Sequence, residues 1–287
     1  MKILTTMLLA AASISLFAQQ AEVICHTSPT EKFAMFASNR TFNNQHQMPR
    51  EYVHESMAGG EMITIKTADG PDANAYMIKA KKATDNWIFV FQEWWGLNDN
   101  IKRHSEDLFN DLGNVNVLAL DMYDGKLATD RENAGKYMQE FKQVRGDAIV
   151  KGALQYAGPK AKVGTVGWCF GGGQSLLATL TAGKQAAACV IYYGMPVEDV
   201  EKLKTLNCDV LGIFAAKEKW IGPEVVSKFE GNMKAAGKKL TVKSYDADHG
   251  FANPSNPMGA YNETAAADAY KNTVEFFKEK LKGTSKN

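Results

Sequence analysis

The 287-residue sequence has few cysteines, few prolines and no excess charge of one sign, and each shortage removes a class of protein. Four cysteines, at 25, 169, 189 and 208, are too few for a disulfide-rich scaffold, and their spacings match no zinc motif. There is no Cys-x-x-Cys pair, which counts against dithiol redox work. Lys and Arg number 33 against 32 Asp and Glu, with no long run of either sign. Neither nucleic acid nor an anionic membrane is therefore favoured as a partner. Eight prolines, no internal repeat and no low-complexity linker leave no seam for a second domain. What remains, 45% apolar and 23% charged residues, suits one large α/β domain.

One apolar stretch stands apart. Lys2 precedes the small-residue-rich run Ile3–Phe17, and Leu16-Phe17-Ala18 offers a cleavage site ending in Ala. The pattern predicts a signal peptide over residues 1–18, too short for a stable membrane span, and a periplasmic or secreted mature protein. Without Lys2 the chain carries 32 basic and 32 acidic residues. Ile24 stands before Cys25 where lipidation needs a small residue, so no membrane anchor is expected after cleavage. In an oxidising compartment a pair among Cys25, Cys189 and Cys208 is free to bridge, and the sequence does not select one.

Residues 19–60 are polar and without a clean period, and read as an N-terminal extension that packs on the domain or stays partly loose. Its Cys25-His26 and His46 raise the question of a metal, but no second ligand pair follows at suitable spacing. From residue 61 to 287 the chain alternates β and α segments. Met62–Lys66 and Ala75–Lys79 flank the turn Asp69-Gly70-Pro71 as an antiparallel hairpin. Trp87–Phe91, Val115–Leu120, Lys162–Val166, Ala187–Tyr193, Val210–Ala215 and Leu240–Tyr245 are strand-like, and Trp87–Phe91 is apolar throughout, as for a strand buried on both faces. Helices are expected over Ile101–Leu112, over Thr129–Tyr156 as one or two, over Gln174–Thr179, around Val197–Leu203 and Pro223–Ala236, and over Ala265–Leu281. The alternation predicts a mostly parallel, doubly wound sheet with helices on both faces.

The chemistry concentrates in Gly167-Trp168-Cys169-Phe170-Gly171, between the strand Lys162–Val166 and a helix. Strand, glycine-flanked turn and helix with a nucleophile at the centre is the pattern of a nucleophile elbow, here carrying cysteine where serine is usual. A helix N-terminus favours the Cys169 thiolate. His249, in Asp248-His249-Gly250-Phe251 after the strand Leu240–Tyr245, is the base candidate, because loops at the C-terminal ends of such strands gather catalytic groups. Glu218, after the strand Val210–Ala215, is placed to orient the imidazole, with Asp246 and Asp248 as rivals. Gln92-Glu93-Trp94-Trp95-Gly96 follows the strand Trp87–Phe91. The backbone N–H groups of Phe170 and Trp94 are the candidate oxyanion donors. Glu93 is an unusual carboxylate in an apolar setting and is assigned to the site. Trp94, Trp95, Trp168 and Trp220 suggest an aromatic wall around the site.

Elbow, Gln-Glu-Trp-Trp-Gly segment and Asp-His-Gly-Phe ending together resemble the dienelactone hydrolase (carboxymethylenebutenolidase) family over residues 60–282. The resemblance implies an α/β-hydrolase fold with Cys169 as nucleophile, His249 as base and an acid at Glu218, where the family has Asp. It also implies that Glu93 holds the resting cysteine until substrate binds. Two arginines that hold the substrate carboxylate in the family would fall at Asn253 and, shortly after Tyr123, near Lys126. The resemblance therefore adds Tyr123, Lys126, Phe251 and Asn253 to the candidate substrate-binding set, and dienelactone itself is disfavoured while the hydrolytic machinery is kept.

The expected function is a carboxylic-ester or lactone hydrolase acting on small molecules through a thioester, with no metal or organic cofactor. A thioesterase or acyl-transfer enzyme on the same site, and a non-enzymatic thiol redox protein, are the alternatives.

Overall fold

A strand buried on both faces needs helices above and below it, and the computed structural model has that arrangement. It describes residues 28–46, 48–255 and 260–282. The expected signal peptide, Cys25 and His26 lie outside the described residues.

Eight strands form one sheet: β1 (Glu61–Ile65), β2 (Ala73–Ile78), β3 (Asn86–Phe91), β4 (Asn116–Leu120), β5 (Lys162–Trp168), β6 (Ala186–Tyr192), β7 (Val210–Ala215) and β8 (Leu240–Tyr245). Their spatial order is β1-β2-β4-β3-β5-β6-β7-β8. β1 and β2 are the expected antiparallel hairpin, β2 runs antiparallel to β4, and the rest are parallel. The interior strands β4, β6 and β7 are buried almost residue by residue, whereas edge strands β1 and β8 keep exposed positions. Periodicity alone separates these cases, since an edge strand has one wet face.

Helices α3 (Asp99–Leu112), α4 (Arg131–Glu140), α5 (Gln143–Ala157), α6 (Phe170–Ala182), α7 (Val200–Leu203), α8 (Pro223–Ala235) and α9 (Glu263–Leu281) connect and cover the strands. The long helical stretch expected after Thr129 divides at Phe141 and Lys142. Its start is capped by the Asp130 side chain, which accepts from the Asn133 N–H at 2.7 Å.

Two helices precede the sheet where the sequence shows no period: α1 (Pro29–Ala37) and α2 (Arg40–Gln45). Their caps explain them. Ser28 and Glu31 form a reciprocal capping box with Pro29 in the first turn, and Asn39 accepts from the Thr41 and Phe42 N–H groups. Phe33 and Phe42 are fully buried, so the described part of the extension packs on the domain. The strap that follows is fastened by the Glu106 carboxylate of α3. It accepts from the Met57 and Ala58 N–H groups (2.8 and 2.9 Å) and from Ser56 Oγ (2.8 Å), and His54 Nε2 lies 3.0 Å away.

The order of strands positions the site. From β3 the chain first crosses to β4, then returns past β3 to β5, so the winding reverses between β3 and β5. In open α/β sheets the crevice at the carboxyl ends of such strands is where ligands bind. Phe91, the last residue of β3, pairs with Gly167 of β5. The Gln92–Gly96 loop and Cys169 therefore emerge side by side.

Candidate active site

Cys169 occupies the turn between β5 and α6 with φ 59° and ψ −119°, a conformation rare for a side chain bearing a Cβ. The strain is held by close packing. A Cβ at Gly167 would stand 2.1 Å from Gly171 O, and one at Gly171 would stand 2.3 Å from Phe91 O. Glycine alone fits either position. The Cys169 N–H donates to Tyr192 O (3.0 Å), and its carbonyl accepts from the Gly172 N–H (3.0 Å), which anchors the turn to β6 and to the first turn of α6. Cys169 is buried, and burial pushes its thiol up, ahead of the opposing pull of His249 and of the Phe170 N–H that faces the sulfur. The resting group is the thiol.

His249 and Glu218 come from the loops after β8 and β7. Backbone bonds lace those loops together, Ala216 N–H to Tyr245 O (2.8 Å) and Lys217 N–H to Ala247 O (3.0 Å). That lacing brings Glu218 Oε2 into a short hydrogen bond with His249 Nδ1. The rivals stand elsewhere: Asp248 is exposed, and Asp246, exposed too, pairs with Lys217 at 3.1 Å. Burial would depress the His249 imidazolium, but the Glu218 carboxylate and the facing Cys169 sulfur outweigh it and hold its pKa well above the histidine range. With Nδ1 engaged, Nε2 is left to face the Cys169 sulfur. Cys169 Sγ and a ring nitrogen of His249 lie within 4.8 Å of each other. The arrangement sets an imidazole of fixed orientation beside a buried thiol.

Glu93 is buried at the end of β3, and Asn253 Nδ2 donates to its Oε2 at 2.8 Å. Asn253 Oδ1 accepts from Ser255 N–H (2.9 Å) and Oγ (2.6 Å), which fixes the amide so that its NH2 faces the carboxyl. Burial raises the Glu93 carboxyl to about 7, against the lowering effect of His249 and Asn253.

Of the other expected residues, some are near Cys169 and His249 and some are not. Phe170 is buried and stacks on Tyr123 (5.6 Å between rings). The Tyr123 phenol is raised well above its usual range by burial and then by Cys169. Trp94 is fully buried with Trp95 against it (5.0 Å). Phe251 packs on Tyr193 and Tyr245. Trp220 lies 5.6 Å from Phe42, beneath the extension. Trp168 points away from this group and stacks on His104 of α3 (5.0 Å). Lys126 is half exposed and pairs with Glu140 (3.1 Å), so the structure does not bring it to Cys169. Cys189 and Cys208 are free thiols.

Two groups at the site carry no signal in the motifs. Tyr193, at the end of β6 with φ 35°, sets its ring 4.9 Å from His249. His46, at the C-terminal end of α2, lies 5.0 Å from the His249 ring and 5.0 Å from Trp94. Burial and then the His249 charge push His46 down to about 3, so it is neutral at neutral pH. The capping box at Ser28 announces α1 in the sequence, but nothing local announces where α2 will set His46.

Comparison with known proteins identifies the family and agrees with the fold. The model of the dienelactone hydrolase family matches residues 73–281. The protein usf of Aquifex pyrophilus is 30% identical over 226 residues, covering 73% of this chain and 96% of that one. A carboxymethylenebutenolidase of Pseudomonas putida is 29% identical over 234 residues, covering 75% and 95%. Among solved structures, a putative dienelactone hydrolase from Klebsiella pneumoniae superposes with a TM-score of 0.63 at 21% identity, over 76% of this chain and 98% of that one. A dienelactone hydrolase-like promiscuous phosphotriesterase from metagenomic libraries gives 0.67 at 22% identity, over 77% and 99%. The chain is a hydrolase and belongs to the dienelactone hydrolase family.

Proposed function

We propose that the chain hydrolyses small carboxylic esters or lactones through a Cys169 thioester, with His249 as general base and acid and Glu218 as its orienting carboxylate. The observation that carries this reading is the chain of contacts Glu218–His249–Cys169 around a strained elbow. His249 takes the Cys169 proton as sulfur attacks the carbonyl carbon, and the oxyanion is held by the Phe170 and Trp94 backbone N–H groups. His249 then returns the proton to the leaving alkoxide. Water, deprotonated by the same imidazole, cleaves the thioester and restores the thiol.

Glu93 tunes the resting state in this reading. As an anion beside a buried thiol, it opposes early ionisation of Cys169, in line with its raising effect on that thiol. Asn253 is committed to Glu93 and Lys126 to Glu140, which leaves neither to hold a substrate carboxylate. That supports an uncharged ester or lactone over an anionic dienelactone. The test is turnover of small activated esters and lactones by the wild type and by Cys169→Ala. Activity in the first and its loss in the second is expected; equal rates would sink the proposal.

A further inference from the structure

Three potential metal ligands meet at the site, and one of them comes from the extension rather than the hydrolase sheet. Cys169 Sγ and one ring nitrogen each of His46 and His249 all lie within 4.8 Å of one another. The two imidazoles are held alike. His46 Nδ1 lies 2.8 Å from Phe42 O, and His249 Nδ1 is hydrogen-bonded to Glu218 Oε2. Each histidine therefore has its Nδ1 occupied by an oxygen acceptor. In both, Nε2 is buried; that of His46 has no hydrogen-bond partner among the described residues, and that of His249 faces only the Cys169 sulfur.

That is the preparation a metal-binding histidine needs. A ligating imidazole donates its other N–H to a carboxylate or a backbone carbonyl, which fixes the tautomer and aims the lone pair. Here one histidine has the carboxylate and the other the carbonyl. Hydrolysis needs only one base, so His46 is a second buried lone pair that the reaction does not use. Zinc bonds of 2.0–2.3 Å to nitrogen and sulfur set tetrahedral ligand atoms about 3.5 Å apart. With every pair within 4.8 Å, the present trio exceeds that spacing by no more than about 1.3 Å per pair.

We propose that His46, Cys169 and His249 form a three-ligand site for a borderline-soft divalent metal, zinc in the first instance, whose binding blocks the hydrolase. One thiolate and two imidazoles suit zinc or cobalt, whereas magnesium and calcium prefer oxygen. The balance is simple: the Cys169 thiol and His249 Nε2, which the Glu218 carboxylate keeps protonated, lose their protons to the buffer, the metal bonds the thiolate sulfur and both Nε2 lone pairs, and the fourth position stays open to water. No oxidation state changes. The nucleophile and the base are then both occupied, so metal binding and ester cleavage exclude one another. That last consequence rests on the function proposed above; the binding does not.

Cobalt(II) titration of the full chain, stripped with a chelator, reads the site without any substrate. The wild type is expected to take up one cobalt per chain with a thiolate-to-cobalt charge-transfer band, and zinc is expected to displace it. Cys169→Ser should abolish the band. His46→Phe keeps a ring packed against Phe42 and Trp94 but removes the ligand, and should weaken zinc affinity on the order of 100-fold or more, since losing even an outer-shell partner costs 10–100-fold. Far-ultraviolet circular dichroism of His46→Phe matching the wild type keeps that comparison about the site rather than folding. Unchanged affinity in His46→Phe, or a band that survives Cys169→Ser, would overturn the assignment. In the activity assay, zinc should inhibit and a chelator should restore the rate. A chelator that abolishes activity would instead overturn the metal-free hydrolysis of the preceding section while leaving the binding result to stand.

Discussion

Replacing Glu93 by Gln removes one buried charge and leaves its hydrogen bond, so it isolates what that charge does to the protein. The carboxyl is fully enclosed at the end of β3, and burial raises it from 4.5 to about 7, with His249 and Asn253 opposing. A group whose folded pKa lies above its unfolded one contributes stability that is present in full below 4.5 and lost as pH rises through about 7. The shift corresponds to roughly 3 kcal/mol between the two limits. In Glu93→Gln, Asn253 Nδ2 still meets an amide oxygen, and no proton is there to lose. Urea unfolding of both proteins, with chelator present, should give curves that differ little near pH 4. From pH 4 to 8 the variant should gain about 3 kcal/mol on the wild type, most of it between pH 4.5 and 7. Parallel curves across that window would refute the reasoning, because they would mean that Glu93 is as easily ionised inside the fold as outside it.

Two further substitutions test other parts of the account. Glu218→Gln leaves His249 in place but takes away the carboxylate that orients it and supports the imidazolium. The loss in kcat should be on the order of 10³- to 10⁴-fold in steady-state ester hydrolysis, with unfolding little changed; a variant within tenfold of wild type would remove Glu218 from the mechanism. Gly171→Ala would drive a Cβ to 2.3 Å from Phe91 O and 2.4 Å from Gln92 O, two backbone atoms that cannot swing aside. A cost of about 3 kcal/mol or more, and a fall in Tm of roughly 10 °C, is expected by calorimetry. Gly231→Ala, in open space on α8, should raise the Tm slightly, and the opposite order would contradict the packing described for the elbow.

The sheet was legible in the sequence because buried parallel strands such as Trp87–Phe91 and Val210–Ala215 read as unbroken apolar runs between helices. The elbow was legible because its glycines answer a local steric demand that any reader of the chain can apply. The extension was not. α2 has six residues, too few to show a 3.6-residue period, and its stability comes from the Asn39 cap and from burying Phe42 against Trp94 and Trp220. Its contacts are with residues far away in the chain, which is why His46 at the site leaves no trace in the motifs. Lys126 illustrates the converse. The turn that carries it lies close in sequence to Tyr123, which stacks on Phe170, yet the lysine itself reaches outward to Glu140. Asn253 stands where the family resemblance implies a substrate-binding cation. Its amide instead binds Glu93, a contact set by the fold of the 250–255 loop and invisible in the residue type alone.

The central claim is that Cys169 becomes acylated, and rapid-quench mass spectrometry of the intact protein tests it most directly. On mixing with an excess of an activated ester, the wild type should gain one acyl mass within a turnover, mapped by peptide digestion to Cys169 and removed by hydroxylamine. Cys169→Ala should gain none. An acyl group on another residue, or hydrolysis at full rate by Cys169→Ala, would contradict the account.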